Sequence, residues 1–294
     1  MKKNNEYLWF IAIVFAISFL WDYLIFRTGG VKSPLFSLLM WIPGLVAIVF
    51  IIIRKERFKK IGWGIGRWWT ILAAIFIPLA VSLITAFLLV TFNLAIFTGK
   101  LFLFKDGMVE ISNIKLILGN QSQSVLFFIF NMILSHLIFL LVGSILTLGE
   151  ELGWRGYLQE KMLRKFGLLR GFILLGLIWG YWHAPVILMG FNFPNNPVWG
   201  ALVLMPLGTI FLGIFLGWIY LRSKSIWMAA LAHASGNLFS GIVFQLISMK
   251  QGDLLRQLAW IALWGMVAAL CMVDLNRKKS DLWQERETFL ANQS

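Results

Sequence analysis

Apolar residues along this chain gather into runs of about 20, the length needed to cross a bilayer core, and most charged residues fall between the runs. Eight candidate spans follow, over residues 7–26, 35–53, 68–92, 125–148, 169–190, 201–221, 226–249 and 257–275. Their hydrophobic positions cover most helical faces, as in helices that meet lipid on one side and other helices on the rest. Phe193-Pro194-Asn195-Asn196-Pro197 is a turn signal between the fifth and sixth spans. Pro43-Gly44 and Pro78 fall inside spans and read as kinks, which membrane helices tolerate. The pattern predicts an all-α fold, a polytopic membrane bundle of about eight transmembrane helices forming a single domain over 1–294. No internal repeat is visible, so the signature of an inverted-repeat transporter is missing.

Composition sharpens this picture. The chain is 60% hydrophobic and 13% charged, where a soluble domain carries about 25% charged residues. Its formal charge of +13 raises nucleic acid as a partner, but the distribution of that charge excludes it. Lys2 and Lys3, then Arg54, Lys55, Arg57, Lys59, Lys60 and Arg67, then Arg155, Lys161, Arg164, Lys165 and Arg170, then Arg222 and Lys224, and finally Arg277, Lys278, Lys279 and Arg286 all fall on one side of the bundle. They are nineteen of the 26 basic residues; Arg27, Lys32, Lys100, Lys105, Lys115, Lys250 and Arg256 fall on the other side. The positive-inside rule accounts for this with an even number of spans and both termini cytoplasmic. The expected place is the plasma membrane of a prokaryote. Met1-Lys2-Lys3 leads directly into the first span without a small-residue cleavage pattern, so no cleavable signal is expected. The charged tail, 276–294, is expected to be cytoplasmic and frayed. The long loop 93–124 falls outside and mixes Phe and Leu with Lys105, Asp106 and Glu110, which suits the interface but points to no role. The lone cysteine, Cys271, lies in an apolar run and reads as a small core residue.

Three polar groupings interrupt the apolar spans. An ionisable group at membrane depth costs about 2.5–3.5 kcal/mol on insertion scales, so it is usually kept for a function. The first is Gly149-Glu150-Glu151-Leu152-Gly153-Trp154-Arg155. Glu151 and Arg155 are four apart and can pair on one helix face. Glu150, turned about 100° away, points elsewhere. The apolar and aromatic pattern continues through Leu152, Trp154, Tyr157 and Leu158, so the helix is expected to run to about Gln159. Glu150 would then sit about 13 Å inside that end. The second grouping is Trp179 and His183, one turn apart; the third is His233 and Asn237, also one turn apart. Taken singly, each has an ordinary structural explanation: a charged helix end, a hydrogen-bonded histidine, polar glue between helices. Together they supply a carboxylate and imidazole to activate a water, and an imidazole and carboxamide to hold an oxyanion. Glu150, His183 and His233 also make a chemically sound zinc set, although no His-Glu-x-x-His helix or other tight ligand spacing is present. His136, 14 residues before Glu150, reads as structural, and Asp22 and Asp274 read as interfacial or paired.

The three groupings resemble the CPBP family, the CAAX proteases and bacteriocin-processing enzymes also called the Abi family, and are similar to type II CAAX prenyl endopeptidases. The family pattern is Glu-Glu-x-x-x-Arg, then an aromatic residue, usually Phe, one turn before a His, then His-x-x-x-Asn or Asp. Here these are Glu150-Glu151-x-x-x-Arg155, Trp179-x-x-x-His183 and His233-x-x-x-Asn237, in the same order. Trp179 in place of Phe is the departure. Met40-Trp41-Ile42-Pro43-Gly44 resembles the start of the family domain, so the resemblance covers about 35–244 and is strongest over 147–240.

The resemblance implies an eight-helix intramembrane endopeptidase. Glu150 with His183 would activate water, His233 and Asn237 would form the oxyanion site, and Glu151, Arg155 and Trp179 would support them. The implied substrate is a membrane-anchored peptide or protein, prenylated or a peptide precursor, cut near the cytoplasmic face. The family was first described as metalloproteases, which would put zinc on Glu150, His183 and His233; a metal-free glutamate mechanism without cofactor is preferred. Some bacterial members are linked to bacteriocin self-immunity, so a non-catalytic binding or immunity protein on the same scaffold is the alternative. The complete set of four polar residues favours the enzyme.

Overall fold

A backbone in hydrocarbon must satisfy its own N–H and C=O groups, which is why apolar runs of this length fold as helices. The computed structural model describes residues 5–98, 101–112, 114–119, 121–277 and 288. Lys2, Lys3 and Lys100, together with the tail from 278 onward apart from Thr288, lie outside the described residues. The helices are α1 (Glu6–Arg27), α2 (Phe36–Ile53), α3 (Trp68–Thr91), α4 (Val125–Phe166), α5 (Leu168–Trp182), α6 (Pro197–Ser223), α7 (Ile226–Val243) and α8 (Leu254–Arg277). Among the described residues seven are long and apolar enough to cross a membrane, and α5 is a shorter apolar helix. The protein is a multi-pass, almost entirely helical membrane bundle.

Several boundaries differ from those expected. α4 is 42 residues long; it passes Glu150 and Glu151 without a break, turns π-helical over Leu152–Gln159 and continues to Phe166. α5 stops at Trp182 because Pro185 follows, and only a short helical turn, Ala184–Leu188, lies beyond His183. Pro43 does not kink the middle of a helix. It occupies the first turn of the segment Ile42–Ile53, where a missing N–H is harmless. Pro78 does lie inside α3, and the Ser82 hydroxyl donates to the Pro78 carbonyl at 3.0 Å.

The fold also contains strands that a strictly all-α expectation misses. The stretch beyond Val243, expected as helix to 249, turns instead into β5 (Ile247–Met249). It pairs antiparallel with β1 (Ala95–Phe97), Ile96 opposite Ser248. Within the long loop, β2 (Phe102–Lys105), β3 (Met108–Ile111) and β4 (Gln123–Ser124) form a small antiparallel sheet. Its buried Val109 joins Phe128 of α4 in a satellite core. Two polar residues of α4 hold the end of this loop: the Ile117 amide donates to Ser135 at 2.9 Å and the Leu118 amide to Asn131 at 3.1 Å.

Packing is closest around the middle of α4. A Cβ on Gly149 would stand 2.6 Å from the Met40 carbonyl oxygen, and one on Gly44 would stand 2.5 Å from the Gly149 carbonyl oxygen. α5 and α6 meet the same way, since Cβ atoms on Gly176 and Gly180 would fall 2.4 and 2.5 Å from the Cα atoms of Ile210 and Pro206. Small residues allow such contact, which drives helix association where lipid removes the hydrophobic incentive. Trp154, Trp179, Trp182 and Trp264 are fully buried, while Leu20, Ile53, Phe87, Leu126 and Leu270 turn outward. At the basic end Tyr157 donates to Glu6, which also meets Lys161 at 3.4 Å and Arg54 at 3.6 Å, tying α1, α2 and α4 together.

Candidate functional site

Glu150 follows Gly149, the α4 glycine packed against α2, and its carboxylate turns toward α5. The Trp179 indole Nε1–H donates to Glu150 Oε2 at 2.6 Å. His183 Nε2 stands 4.0 Å from the same oxygen, too far for a direct hydrogen bond. His183 Nδ1 lies 2.8 Å from the Trp179 carbonyl oxygen. A carbonyl only accepts, so Nδ1 carries the proton, and a neutral ring presents the Nε2 lone pair toward Glu150.

Glu151 faces another way and meets two side chains on one oxygen. Arg155 Nη1 donates to Glu151 Oε1 at 3.0 Å, and His233 Nδ1 meets that oxygen at 2.8 Å. Glu151 and Arg155 are almost completely buried. The Arg155 guanidinium also lies over the Trp179 ring at 4.3 Å, and that ring meets His233 edge-on at 5.3 Å. Asn237, one turn beyond His233, is exposed to the cavity rather than packed.

Glu150, Trp179, His183, His233 and Asn237 line one cavity of about 740 Å³. From the polar cluster it extends past Ser240 and Phe244 to Phe191, Asn192, Gln245, Asp253 and Arg256. Those residues belong to the ends of α5 and α7 and the start of α8, the side opposite the basic loops. On the basic side the buried Trp154 and Arg155 follow the cluster along α4. The continuation of α4 to Phe166 places Glu150 about 24 Å inside that helix end, at 1.5 Å per residue. The sequence pointed to a cut near the basic face; the lining of the cavity runs from the cluster toward the other end of the bundle.

All four residues singled out from the sequence as catalytic thus share a cavity, and Glu151 and Arg155 form the expected pair. Two links were not foreseen. Glu151 holds His233, 82 positions away, and no local spacing announces such a contact. The indole bond to Glu150 was equally hidden, although a Trp one turn before the histidine was the available signal. Among the described residues no three His, Cys, Asp or Glu side chains are gathered as metal ligands, so Glu150, His183 and His233 do not form such a group. His136 Nδ1 lies 2.6 Å from the Met132 carbonyl on its own helix, a local structural contact. Asp274 accepts from Trp218 at 2.7 Å and from Arg222 at 2.8 Å, as paired. Asp22 is not paired: it is buried, and neither carboxylate oxygen has a hydrogen-bond partner among the described residues.

Fold and site together define a polytopic helical membrane protein with a buried carboxylate–imidazole centre. Residues 124–239, the stretch carrying this centre, match the family model described as type II CAAX prenyl endopeptidase Rce1-like. The chain is also 34% identical over 94 residues to CAAX prenyl protease 2 of Methanococcus maripaludis, covering 30% of this chain and 34% of that relative. The chain therefore spans about a third of the length of the curated relative it matches. Over the stretch that carries the centre, the chain is thus similar to the Rce1-like family.

Breaking a buried ion pair by removing one partner costs about 3–5 kcal/mol, because the other charge is left unsolvated. Glu151→Gln is expected to lower the thermal unfolding temperature of the purified protein sharply, by stranding Arg155. The double variant Glu151→Gln, Arg155→Met should regain much of the loss. An unchanged unfolding temperature in Glu151→Gln would show that the pair does not hold the helices.

Proposed function

We propose that the protein is an intramembrane endopeptidase that hydrolyses a peptide bond in a membrane-anchored substrate, prenylated or a peptide precursor. The observation that carries this is the facing of Glu150 and His183 across 4.0 Å in a cavity that His233 and Asn237 also line. A water about 2.8 Å from both Glu150 Oε2 and His183 Nε2 donates a hydrogen to each and keeps a lone pair for attack. As its oxygen bonds to the scissile carbonyl carbon, Glu150 takes the proton. The carbonyl oxygen becomes an oxyanion facing His233 and Asn237. His233 donates from Nε2 as an imidazolium whose Nδ1–H is held by Glu151, and the Asn237 amide donates beside it. Collapse breaks the C–N bond, and Glu150 returns its proton to the leaving nitrogen. The products are a carboxylic acid and an amine; the acid's remaining proton passes to the amine as they part, leaving a carboxylate and an ammonium, and no cofactor enters the balance. The names carried by the matched family and by the archaeal relative support a peptidase of this kind.

An amide cannot take a proton from water. Glu150→Gln is therefore expected to fold and insert normally yet release no product. Membranes carrying wild type or Glu150→Ala, compared for released peptides by mass spectrometry, identify the substrate by what disappears. Identical peptide sets from the two membranes would end the peptidase assignment.

The charge asymmetry favours both termini and the segment 54–67 in the cytoplasm. The cavity would then open toward the outer half of the bilayer. In a Cys271→Ser background, a cysteine at Asn195 should react with a membrane-impermeant thiol reagent added to intact cells, and one at Lys59 only after permeabilisation. The reverse pattern would invert the protein and turn the cavity toward the cytoplasm.

A catalytic zinc needs three protein ligands with partners that fix each imidazole, and the glutamate mechanism leaves His233 to the oxyanion. Activity is expected to survive dialysis against a strong chelator. His233→Gln should slow turnover by about 10²–10³-fold, as loss of an oxyanion donor does. One zinc per chain in the wild type, lost together with activity in His233→Gln, would make the enzyme a metalloprotease.

A further inference from the structure

The position before His183 on the α5 face is occupied by an indole, and its N–H is aimed at the carboxylate that does the chemistry. We propose that Trp179 is a positioning residue for catalysis, its side chain holding Glu150 and its main chain holding His183 so that the two face each other across one water. The proposal rests on the peptidase reading above.

Three observations carry it. Trp179 donates to Glu150 Oε2 at 2.6 Å, and that oxygen is the one 4.0 Å from His183 Nε2. The Trp179 carbonyl accepts from His183 Nδ1 at 2.8 Å, which turns Nε2 toward Glu150. A single residue thus fixes both partners of the water, and the rigid helix between its side chain and its carbonyl sets their separation. The ring is itself fixed, clamped between the Arg155 guanidinium at 4.3 Å and the edge of His233 at 5.3 Å. A flexible donor would let Glu150 swing; this one cannot move without disturbing the oxyanion side of the site as well.

The plainer explanation is that a buried indole merely takes the nearest acceptor. The rest of the protein argues against it. Trp154 and Trp264 are as deeply buried as Trp179, yet the Nε1–H of each has no hydrogen-bond partner among the described residues. Burial alone does not force an indole to be paired in this bundle. Hydrogen bonds to a charged acceptor are about twice as strong as neutral ones, and the bond to Glu150 is of that kind. Phenylalanine at this position would keep the ring contacts with Arg155 and His233 and the carbonyl bond to His183. It would lose only the bond to Glu150, so the exchange isolates the proposed role.

The test uses the purified full-length protein in liposomes and a fluorogenic peptide carrying a farnesylated cysteine. Wild type, Trp179→Phe and Trp179→His are compared for kcat, KM and thermal unfolding. For Trp179→Phe the expected result is a kcat about 10–100-fold lower, the size expected for one charge-assisted bond, with KM within about threefold and unfolding unchanged. Trp179→His, whose ring N–H can reach toward Glu150, should recover part of kcat. A kcat within about twofold of wild type in Trp179→Phe overturns the proposal, as does a rise in KM at constant kcat. If Trp179→Phe fails to fold, Trp179→His decides: a folded variant with measurable turnover supports positioning, and a folded inactive one overturns it. No cleavage by wild type, with release of cellular peptides still lost in Glu150→Ala, means only a wrong probe class, and the comparison is then made on a released peptide. No cleavage in either assay removes the peptidase reading and this proposal with it.

Discussion

Two neighbouring carboxylates inside an apolar bundle are the constraint from which the site follows. Each unpaired charge in such surroundings carries a penalty of several kcal/mol, so each must be answered by a partner, and the two cannot share one. The helix separates them by about 100°. Glu151 turns to Arg155 and His233 and becomes the centre of a closed ionic cluster. Glu150 turns to an indole N–H and a histidine held at a distance. The difference in partners is a difference in chemistry. One carboxylate is locked to a guanidinium at 3.0 Å, whereas the other, bonded to an indole N–H, lines a cavity.

The scaffold serves to keep these partners in place. Gly44, Gly149 and Pro43 bring α2 against α4, and Gly176 and Gly180 bring α5 against α6, at distances that leave no room for a Cβ. Helices this close cannot rotate or slide by a fraction of a turn without collision. The π-helical stretch over Leu152–Gln159 begins immediately after Glu151, where a widened turn re-aims the side chains that follow it; such insertions are frequent at functional sites. Arg155 and Trp154 lie in that stretch, both buried.

Much of this was legible in the chain because it depends on short-range periodicity. Runs of about 20 apolar residues mark the spans, and a spacing of four marks Glu151 with Arg155, Trp179 with His183 and His233 with Asn237. What escaped is of two kinds. Contacts between distant segments, such as Glu151 with His233 and Trp179 with Glu150, leave no local trace. Element ends also escaped, because an apolar residue suits a lipid-facing helix and a short strand equally well. Ile247-Ser248-Met249 continues the hydrophobic run of α7, yet pairs with Ala95-Ile96-Phe97 once the chain leaves the helix. The extension of α4 to Phe166 was missed for the opposite reason. Arg155, Glu160, Lys161, Arg164 and Lys165 look like a loop by charge, but they sit on a helix packed against its neighbours.

The cavity adds a step that neither charge counting nor motif spacing contains. The proposed hydrolysis would need water at a depth where hydrocarbon excludes it, and would need that water to come from one side only, or the bundle would leak. Burial of Trp154 and Arg155 on the basic side and a cavity extending toward the other would meet both demands. The walls near the opening combine Phe191, Phe193, Phe244 and Trp260 with Asn192, Gln245 and Gln257, so an apolar anchor and a polar backbone can enter together. Glu150 can then be both buried and reachable: buried from lipid and from the basic face, reachable along the path through the cavity. The ionic cluster of Glu151, Arg155 and His233 forms the floor of that path. His233, which ties Glu151 on α4 to α7, is in this way also a wall of the cavity that Glu150 lines.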